Sequence, residues 1–253
     1  MKALGLSRVL VALGASIPSR SAVATGVGLA AAVGAALEAL FVEDVNLLRL
    51  GALPFASGIS TLTGEWRALA VGEMERALRV EASHLEELLA ASAARQRVSW
   101  SFAVTRGELF AEAMMREADL IVLGAPMRST APTREPGWSG PVTALFDASP
   151  DSSRALAATT RFARALARKL LILVPAGEGK AHRVAGQLAR EWLTAEQVEG
   201  LVVPLAAAHS ALVDAVRTRK SVVLALPESA LSARRIHLAT LVTKLACPVV
   251  IVR

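Results

Sequence analysis

The hydrophobic pattern of the chain alternates between short apolar runs and longer segments with helical periodicity. The run RVLVAL at 8–13 is almost continuously apolar, which is typical of a strand covered on both faces of a sheet. Similar runs recur along the chain, and proline- and glycine-rich turns separate them from the helical segments. The predicted strands are 8–13, 36–42, 98–104, 119–124, 142–146, 170–174, 198–205, 220–225 and 248–252.

Between these runs lie segments whose apolar residues recur at helical spacing. In the segment 63–95, for example, Leu78, Leu85 and Leu89 form one apolar stripe. Residues 43–62 contain Gly51 and Pro54 and are predicted to be a long loop. Strands that alternate with helices indicate parallel sheets with right-handed crossovers. The predicted helices are 19–34, 63–95, 107–118, 151–168, 180–195, 207–219 and 230–245.

The chain repeats this pattern. Residues 9–41 align without gaps on residues 142–174, and IVLGAP at 121–126 matches VVLALP at 222–227. An internal repeat of this length indicates two copies of one unit. We therefore predict an α/β protein of two tandem, doubly wound, mostly parallel flavodoxin-like domains, the first without its final helix and strand. The predicted boundaries are 1–124 for the truncated domain, 125–140 for a linker rich in proline and glycine, and 141–253 for the compact domain.

Composition and charge narrow the class of protein. The chain has 253 residues, 53% of them hydrophobic and 20% charged, which is typical of a folded globular protein. The formal net charge is +6, but the basic residues are scattered through helices, as at Arg161, Arg164, Arg168 and Arg190. A solvated basic surface explains this pattern, so nucleic-acid binding is disfavoured.

The sequence favours a cytoplasmic protein. Cys247 is the only cysteine, so no internal disulfide forms, and its apolar surroundings predict a buried thiol. The amino terminus resembles a signal peptide, but Arg8 interrupts the apolar stretch and cleavage near 21–24 would remove the first strand. The uncharged segment 21–37 is too short and too rich in alanine and glycine to cross a membrane.

Three possible catalytic or metal motifs fail on their residue types. GEGK at 177–180 has Val174 and Ala181 where a Walker motif needs glycine and a hydroxyl. The turn after the first strand has Pro18 where a nucleophile elbow needs glycine, and no acid–histidine pair accompanies it. The four histidines lack the spacing of metal ligands. No residue is therefore predicted to be catalytic or to bind a metal.

Ligands of open α/β sheets bind beyond the carboxyl ends of the strands, where the strand order reverses. The residues after the first and fourth strands include Gly14 and Gly124 in the first half and Asp147 and Glu228 in the second. The stretch VTALFDASPDSSRALAATTRFARAL at 142–166 resembles the opening of universal stress protein domains, with an aspartate after the first strand and a serine two residues later. DLIVLG and LACPVVIVR resemble the fourth and fifth strands of such domains.

The resemblance implies a five-stranded doubly wound fold, and many members of the family bind ATP or AMP. Their phosphate loop follows the fourth strand and reads Gly, two residues, Gly, nine residues, then Gly with Ser or Thr. Here Gly124 is present but Met127 replaces the second glycine, and Gly14 replaces the aspartate. In the second copy Asp147 and Ser149 are present, while Ala225 and Glu228 replace the first two glycines.

The second copy also has basic residues in the loop region, Arg234 and Arg235, which would offset the charge of Glu228. The predicted cofactor-binding residues are Asp147, Ser149, Gly124, Met127, Arg234 and Arg235. Because each half keeps only part of the site, we predict a non-catalytic binding or regulatory protein of the stress response, without a cofactor and with an unknown protein partner. The alternative is an ATP- or AMP-binding protein with an atypical site and weak ATPase activity.

The last apolar run predicts how two copies of the chain associate. The residues Pro248, Val249, Val250, Ile251 and Val252 form a short uncharged strand, and the first half has no equivalent strand to pair with it. A bare apolar edge promotes association. The sequence therefore predicts a homodimer in which these residues pair across the interface.

Overall fold

The computed structural model of the protein describes most of the chain. The described residues are 5–15, 19–53, 57–59, 64, 66–68, 71–124, 140–177, 180–233 and 236–253.

The strands of the large sheet follow the predicted apolar runs closely. They are β1 (Arg8–Gly14), β2 (Ala36–Asp44), β5 (Trp100–Gly107), β6 (Leu120–Leu123), β7 (Val142–Leu145), β8 (Leu170–Pro175), β9 (Gly200–Leu205), β10 (Val223–Pro227) and β11 (Val249–Val252). A separate antiparallel hairpin consists of β3 (Ser57–Ile59) and β4 (Trp66–Ala68).

The described helices lie between these strands. They are α1 (Ser19–Val33), α2 (Val45–Gly51), α3 (Val71–Gln96), α4 (Leu109–Met115), α5 (Pro150–Ala165), α6 (Lys180–Ala195), α7 (His209–Thr218), α8 (Glu228–Ala233) and α9 (Leu238–Lys244). In the described part of the chain, no helix is both long enough and apolar enough to span a membrane.

One nine-stranded sheet runs through both halves of the sequence, in the order β5-β2-β1-β6-β11-β10-β7-β8-β9. When the strands of this sheet are numbered separately within each half, both halves have the order third, second, first, fourth. The second half adds a fifth strand. All pairs are parallel except β6 with β11, which is antiparallel. The predicted mostly parallel, doubly wound α/β fold is confirmed.

The segments β1–α1–β2 and β7–α5–β8 cover the two stretches, 9–41 and 142–174, that align without gaps. The hydrophobic core, however, does not divide between the halves. Alternate residues of each strand face opposite layers of helices, as the side chains of Val11 and Ala12 do. One layer contains α1, α3, α5 and α6, and the other contains α4, α7, α8 and α9. Both apolar layers contain residues from before and after the segment 125–139, so the two halves share their core.

Helix α1 lies unusually close to the sheet and to α5. A Cβ atom added at Gly26 would lie only 2.0 Å from Cγ2 of Val11 in β1. A Cβ atom at Gly28 would lie 3.3 Å from Cε2 of Phe162 in α5. A side chain at Gly26 would therefore force α1 away from β1, whereas one at Gly28 would only make a tight contact with Phe162.

The structure corrects four element predictions. Residues 57–59, within the predicted loop 43–62, form β3. Residues 45–51 form helix α2, because Asp44 caps it by accepting a hydrogen bond from the Asn46 backbone at 2.8 Å. Helix α3 begins at Val71, later than predicted, because β4 precedes it. The helix predicted over 230–245 is instead two short helices, α8 and α9.

The premise of the predicted dimer interface is wrong. Strand β11 is not an open edge, because it pairs with β10 on one side and with β6 of the first half on the other. Ile251, for example, pairs with Leu226 and Ile121 and is fully buried. Within the described residues, the place beside β6 where a fifth strand of the first half was expected is therefore occupied by β11 of the second half. Homodimer formation itself stays a prediction, and it would need another surface.

Candidate functional site

The candidate site of the second half lies at the carboxyl ends of β7 and β10, which are adjacent in the sheet. Asp147 follows β7, and Ala148 then adopts a left-handed conformation with φ of 67°. This turn brings the backbone N–H of Ser149 to 3.0 Å from Oδ1 of Asp147. The Ser149 hydroxyl in turn accepts a hydrogen bond from the Ser152 backbone at 3.2 Å and caps α5.

These contacts explain why an aspartate and a serine stand two residues apart. Burial raises the pKa of Asp147, but hydrogen bonds from Ser149 and Ser152 outweigh it and lower that pKa below its ordinary value. The carboxylate is therefore ionised at neutral pH, and it is exposed. Asp147 and Ser149 already stabilise the turn and the helix start, which accounts for both residues without a ligand.

The position of a phosphate loop after β10 is occupied by a helix. Strand β10 ends at Pro227, and α8 begins at once with Glu228. A phosphate loop needs several backbone N–H groups free to converge on an anion. Here the chain turns directly into a six-residue helix that begins with a carboxylate. The described residues at this edge therefore do not form the cradle that a triphosphate requires.

Glu228 has a partner that the sequence did not suggest. Nε of Arg253 donates to Oε1 of Glu228 at 3.2 Å. The same guanidinium donates to the carbonyl oxygens of Met114 and Arg116, each at 2.5 Å. Arg253 thus ties β11 to α8 and to the end of α4 in the first half, and it occupies this edge of the sheet.

Asp119, which precedes β6, also joins the two halves through hydrogen bonds. Its Oδ2 accepts hydrogen bonds from the backbone N–H groups of Ser7 at 2.7 Å and Arg8 at 2.9 Å, while its carbonyl oxygen accepts one from the Arg253 backbone at 2.9 Å. Burial raises the pKa of Asp119, but these hydrogen bonds and the nearby charge of Arg154 lower it overall. The amino-terminal edge of the first half is therefore joined to the carboxyl edge of the second.

The predicted site residues are not all brought together. Because β6 and β11 are antiparallel, the carboxyl ends of the first half lie at the opposite edge of the sheet from those of the second. Gly124 follows β6 and is thus separated from Asp147 and Ser149. Met127, Arg234 and Arg235 lie outside the described residues.

The carboxyl edge of the first half has a different chemistry. A Cβ atom added at Gly14 would lie 3.7 Å from the Leu109 side chain, which is an ordinary contact, so the position does not require glycine for lack of room for a Cβ atom. Arg106 at the end of β5 binds Glu43 at 2.9 Å and Glu75 at 3.1 Å. The hydrogen bond to Glu43 is the main reason that the pKa of Arg106 is raised. These ion pairs join β2, β5 and α3.

Sequence reasoning therefore missed the Arg253 contacts, although it identified Glu228 as unfavourable for a phosphate. No pattern in the sequence indicates that the last strand lies against β6, so the contact of Arg253 with α4 had no signal. Cys247 is buried as predicted, and this burial raises the pKa of its thiol to about 12. Among the described residues, no group of three or more His, Cys, Asp or Glu side chains is placed to hold a metal.

Solved structures that are similar to this chain include universal stress proteins. A universal stress protein from Archaeoglobus fulgidus is similar over 97% of this chain and 96% of its own, with a TM-score of 0.57 and 12% identity. A putative universal stress protein from Pseudomonas aeruginosa is similar over 100% of this chain and 95% of its own, with a TM-score of 0.49 and 10% identity. A functionally unknown protein from Pseudomonas aeruginosa has a TM-score of 0.48 and 11% identity, over 98% and 93% of the two chains.

No protein-family model matches the sequence, and no curated protein matches it. At 12% identity the first likeness concerns the fold. The chain therefore has the flavodoxin-like α/β fold of universal stress proteins.

Proposed function

We propose that this protein is a non-catalytic binding and regulatory module of the stress response, built from two copies of the universal-stress-type unit. The repeated strand order and the gapless alignment of 9–41 with 142–174 support two copies. The fold supports the stress-response role. The observation that carries the non-catalytic assignment is the direct passage from β10 into α8, with Glu228 paired to Arg253. We propose further that the protein is cytoplasmic and signals through a protein partner.

Nucleotide binding at the second half is the alternative. One observation favours it, namely that the ionised carboxylate of Asp147 stays exposed at the end of β7, where the family resemblance expects an aspartate. The missing backbone donors after β10 weigh against ATP and less strongly against ligands with fewer phosphates. Arg234 and Arg235 would be the anion contacts of this alternative.

Isothermal titration calorimetry of the dialysed full chain with ATP and with AMP distinguishes the proposed function from the nucleotide-binding alternative. We expect no heat of binding at millimolar nucleotide, and no nucleotide released on denaturation as detected by mass spectrometry. If ATP or AMP binds, Asp147→Asn identifies the site, with Asp151→Asn, four residues later in the first turn of α5, as the matched control. Saturable binding of ATP or AMP would overturn the proposal, and its loss in Asp147→Asn but not in Asp151→Asn would place the nucleotide at the end of β7.

A further inference from the structure

The outward face of α5 carries a row of arginines. Arg154, Arg161 and Arg164 fall within about 80° of one another around the helix axis and span about 15 Å along it. The other faces of the helix are buried against the sheet and its neighbours, and its only acidic residue, Asp151, lies in the first turn. Arg168 follows the helix end and is exposed. Basic residues that are scattered in the sequence thus form one surface in the fold.

An apolar strip on α6 runs beside this row. Val184 and Leu188 lie one turn apart, and each is 42% exposed. One turn further along, Nε1 of Trp192 donates to Oγ1 of Thr160 in α5 at 3.0 Å. Because residues four apart share a helix face, Val184 and Leu188 lie on the side of α6 that turns toward α5. The two helices therefore present basic and apolar strips side by side.

One carboxylate already shows how the arginine row binds an acid. Oε2 of Glu196, just after α6, accepts a hydrogen bond from Arg164 at 2.9 Å. Guanidinium groups bind carboxylates strongly because their planar donors match the two oxygens. A helix with glutamates along one side and leucines along the next would complement both strips, as amphipathic helices do in apolar grooves.

We propose that the α5–α6 face, defined by Arg154, Arg161, Arg164, Arg168, Val184 and Leu188, binds an acidic amphipathic helix of a partner protein. This inference rests on the proposed function as a protein-binding module and names its partner by chemistry. Nucleic acid fits less well, because the exposed apolar side chains of Val184 and Leu188 match the apolar side of an amphipathic helix and not a phosphate backbone.

Fluorescence anisotropy with the full chain tests the proposal. The probe is a labelled helical peptide of about 18 residues, or five turns, with leucines every three to four residues and glutamates beside them. The control peptide has lysine in place of every glutamate. We expect saturable binding of the acidic peptide, no binding of the lysine peptide, and weaker binding at high salt because exposed charges are screened.

Two variants with the same change in charge locate the site. Arg161→Glu with Arg168→Glu should weaken peptide binding by at least about tenfold, since it places like charges opposite the glutamates. Arg76→Glu with Arg79→Glu changes two exposed arginines of α3 and should leave affinity unchanged. Leu188→Ser should also weaken binding, whereas Leu201→Ser, at an exposed position of the edge strand β9, should not. Circular dichroism confirms that each variant is folded.

Three results would overturn the proposal: no saturable binding of the acidic peptide, an equal loss in both arginine pairs, or tighter binding of a single-stranded oligonucleotide than of the peptide. A titration with ATP in the same buffer reports separately on the proposed function. A protein that binds ATP but not the peptide refutes both, whereas one that binds neither refutes only the partner surface.

Discussion

The two halves of the molecule share a strand order but differ in how their sheets end. The second half completes its sheet with β11, and Arg253 follows it. The last described strand of the first half, β6, pairs with that same β11. One strand thus closes both halves, and the residue after it contacts α4 of the first half and α8 of the second. This asymmetry joins the halves into one sheet.

The largest expected effect is at the shared strand. Ile251→Ala should lower the free energy of unfolding by about 3 kcal/mol, because it leaves a cavity between β6 and β10. Urea denaturation is followed by tryptophan fluorescence in two variants of the protein. One retains only Trp100, in β5, and the other retains only Trp192, in α6. Both probes should report the same shift in midpoint, since the halves share one core. A shift seen by Trp192 alone would mean that the first half folds independently.

Leu201→Ala is the control for this experiment. Leu201 lies in β9 and is 56% exposed, so its truncation should change stability by less than about 0.5 kcal/mol.

The contact between Arg253 and the first half should contribute less. Arg253→Met keeps the apolar stem but leaves the Met114 and Arg116 carbonyls without this donor, so we expect a loss of about 2 kcal/mol by urea denaturation. Lys169→Met is the matched control, because the Lys169–Glu199 pair is largely exposed and exposed pairs contribute at most about 1 kcal/mol. Equal losses in the two variants would show that Arg253 does not join the halves.

The corresponding helices α1 and α5 predict effects of opposite sign. In α1 the hydroxyl of Thr25 is buried with no hydrogen-bond partner among the described residues, so Thr25→Val should raise stability by about 1 kcal/mol. In α5 the Thr160 hydroxyl donates to Leu156 and accepts from Trp192, so Thr160→Val should lower stability by about 1 kcal/mol. Thermal denaturation measures both variants, and changes of the same sign would contradict this interpretation.

The smallest expected effect is a pH dependence at Asp119. Its pKa is lower in the folded state than the ordinary value of about 3.9, so its stabilisation is present above that value and is lost as the pH falls through the folded pKa. The stability difference between the wild type and Asp119→Asn should therefore shrink on acidification below about pH 4, by less than about 1 kcal/mol because the site is partly solvated. Urea midpoints at several pH values measure it. A difference independent of pH would exclude this contribution.

The elements were largely predictable because their signals are local. Short, largely apolar runs identified every strand of the large sheet, and the bounds of α6 agree with the prediction to the residue. Helix α2 was missed because Gly51 and Pro54 outweighed the capping signal of Asp44. The break between α8 and α9 was not predicted because the apolar residues keep the same helical spacing on both sides of it.

The candidate site was only partly predictable. Asp147 and Ser149 lie at the predicted strand end, since the strand that precedes them has a clear pattern. Asp147 accepts a hydrogen bond from the Ser149 backbone and Ser149 accepts one from the Ser152 backbone, so these contacts also join residues close in sequence. The partner of Glu228 was not predictable, because Arg253 is distant in sequence and reaches it only through the position of β11.

The sequence by itself determined the alternation of strands and helices, the repeated order of the apolar runs, and the residue types at the strand ends, because each depends on residues near one another along the chain. Only the tertiary structure decided that β11 closes both halves, that their carboxyl edges face opposite ways, and that arginines of α5 lie beside the apolar strip of α6. The physical reason is that an apolar strand can bury itself against any complementary edge. Which edge it meets depends on the packing of the whole sheet.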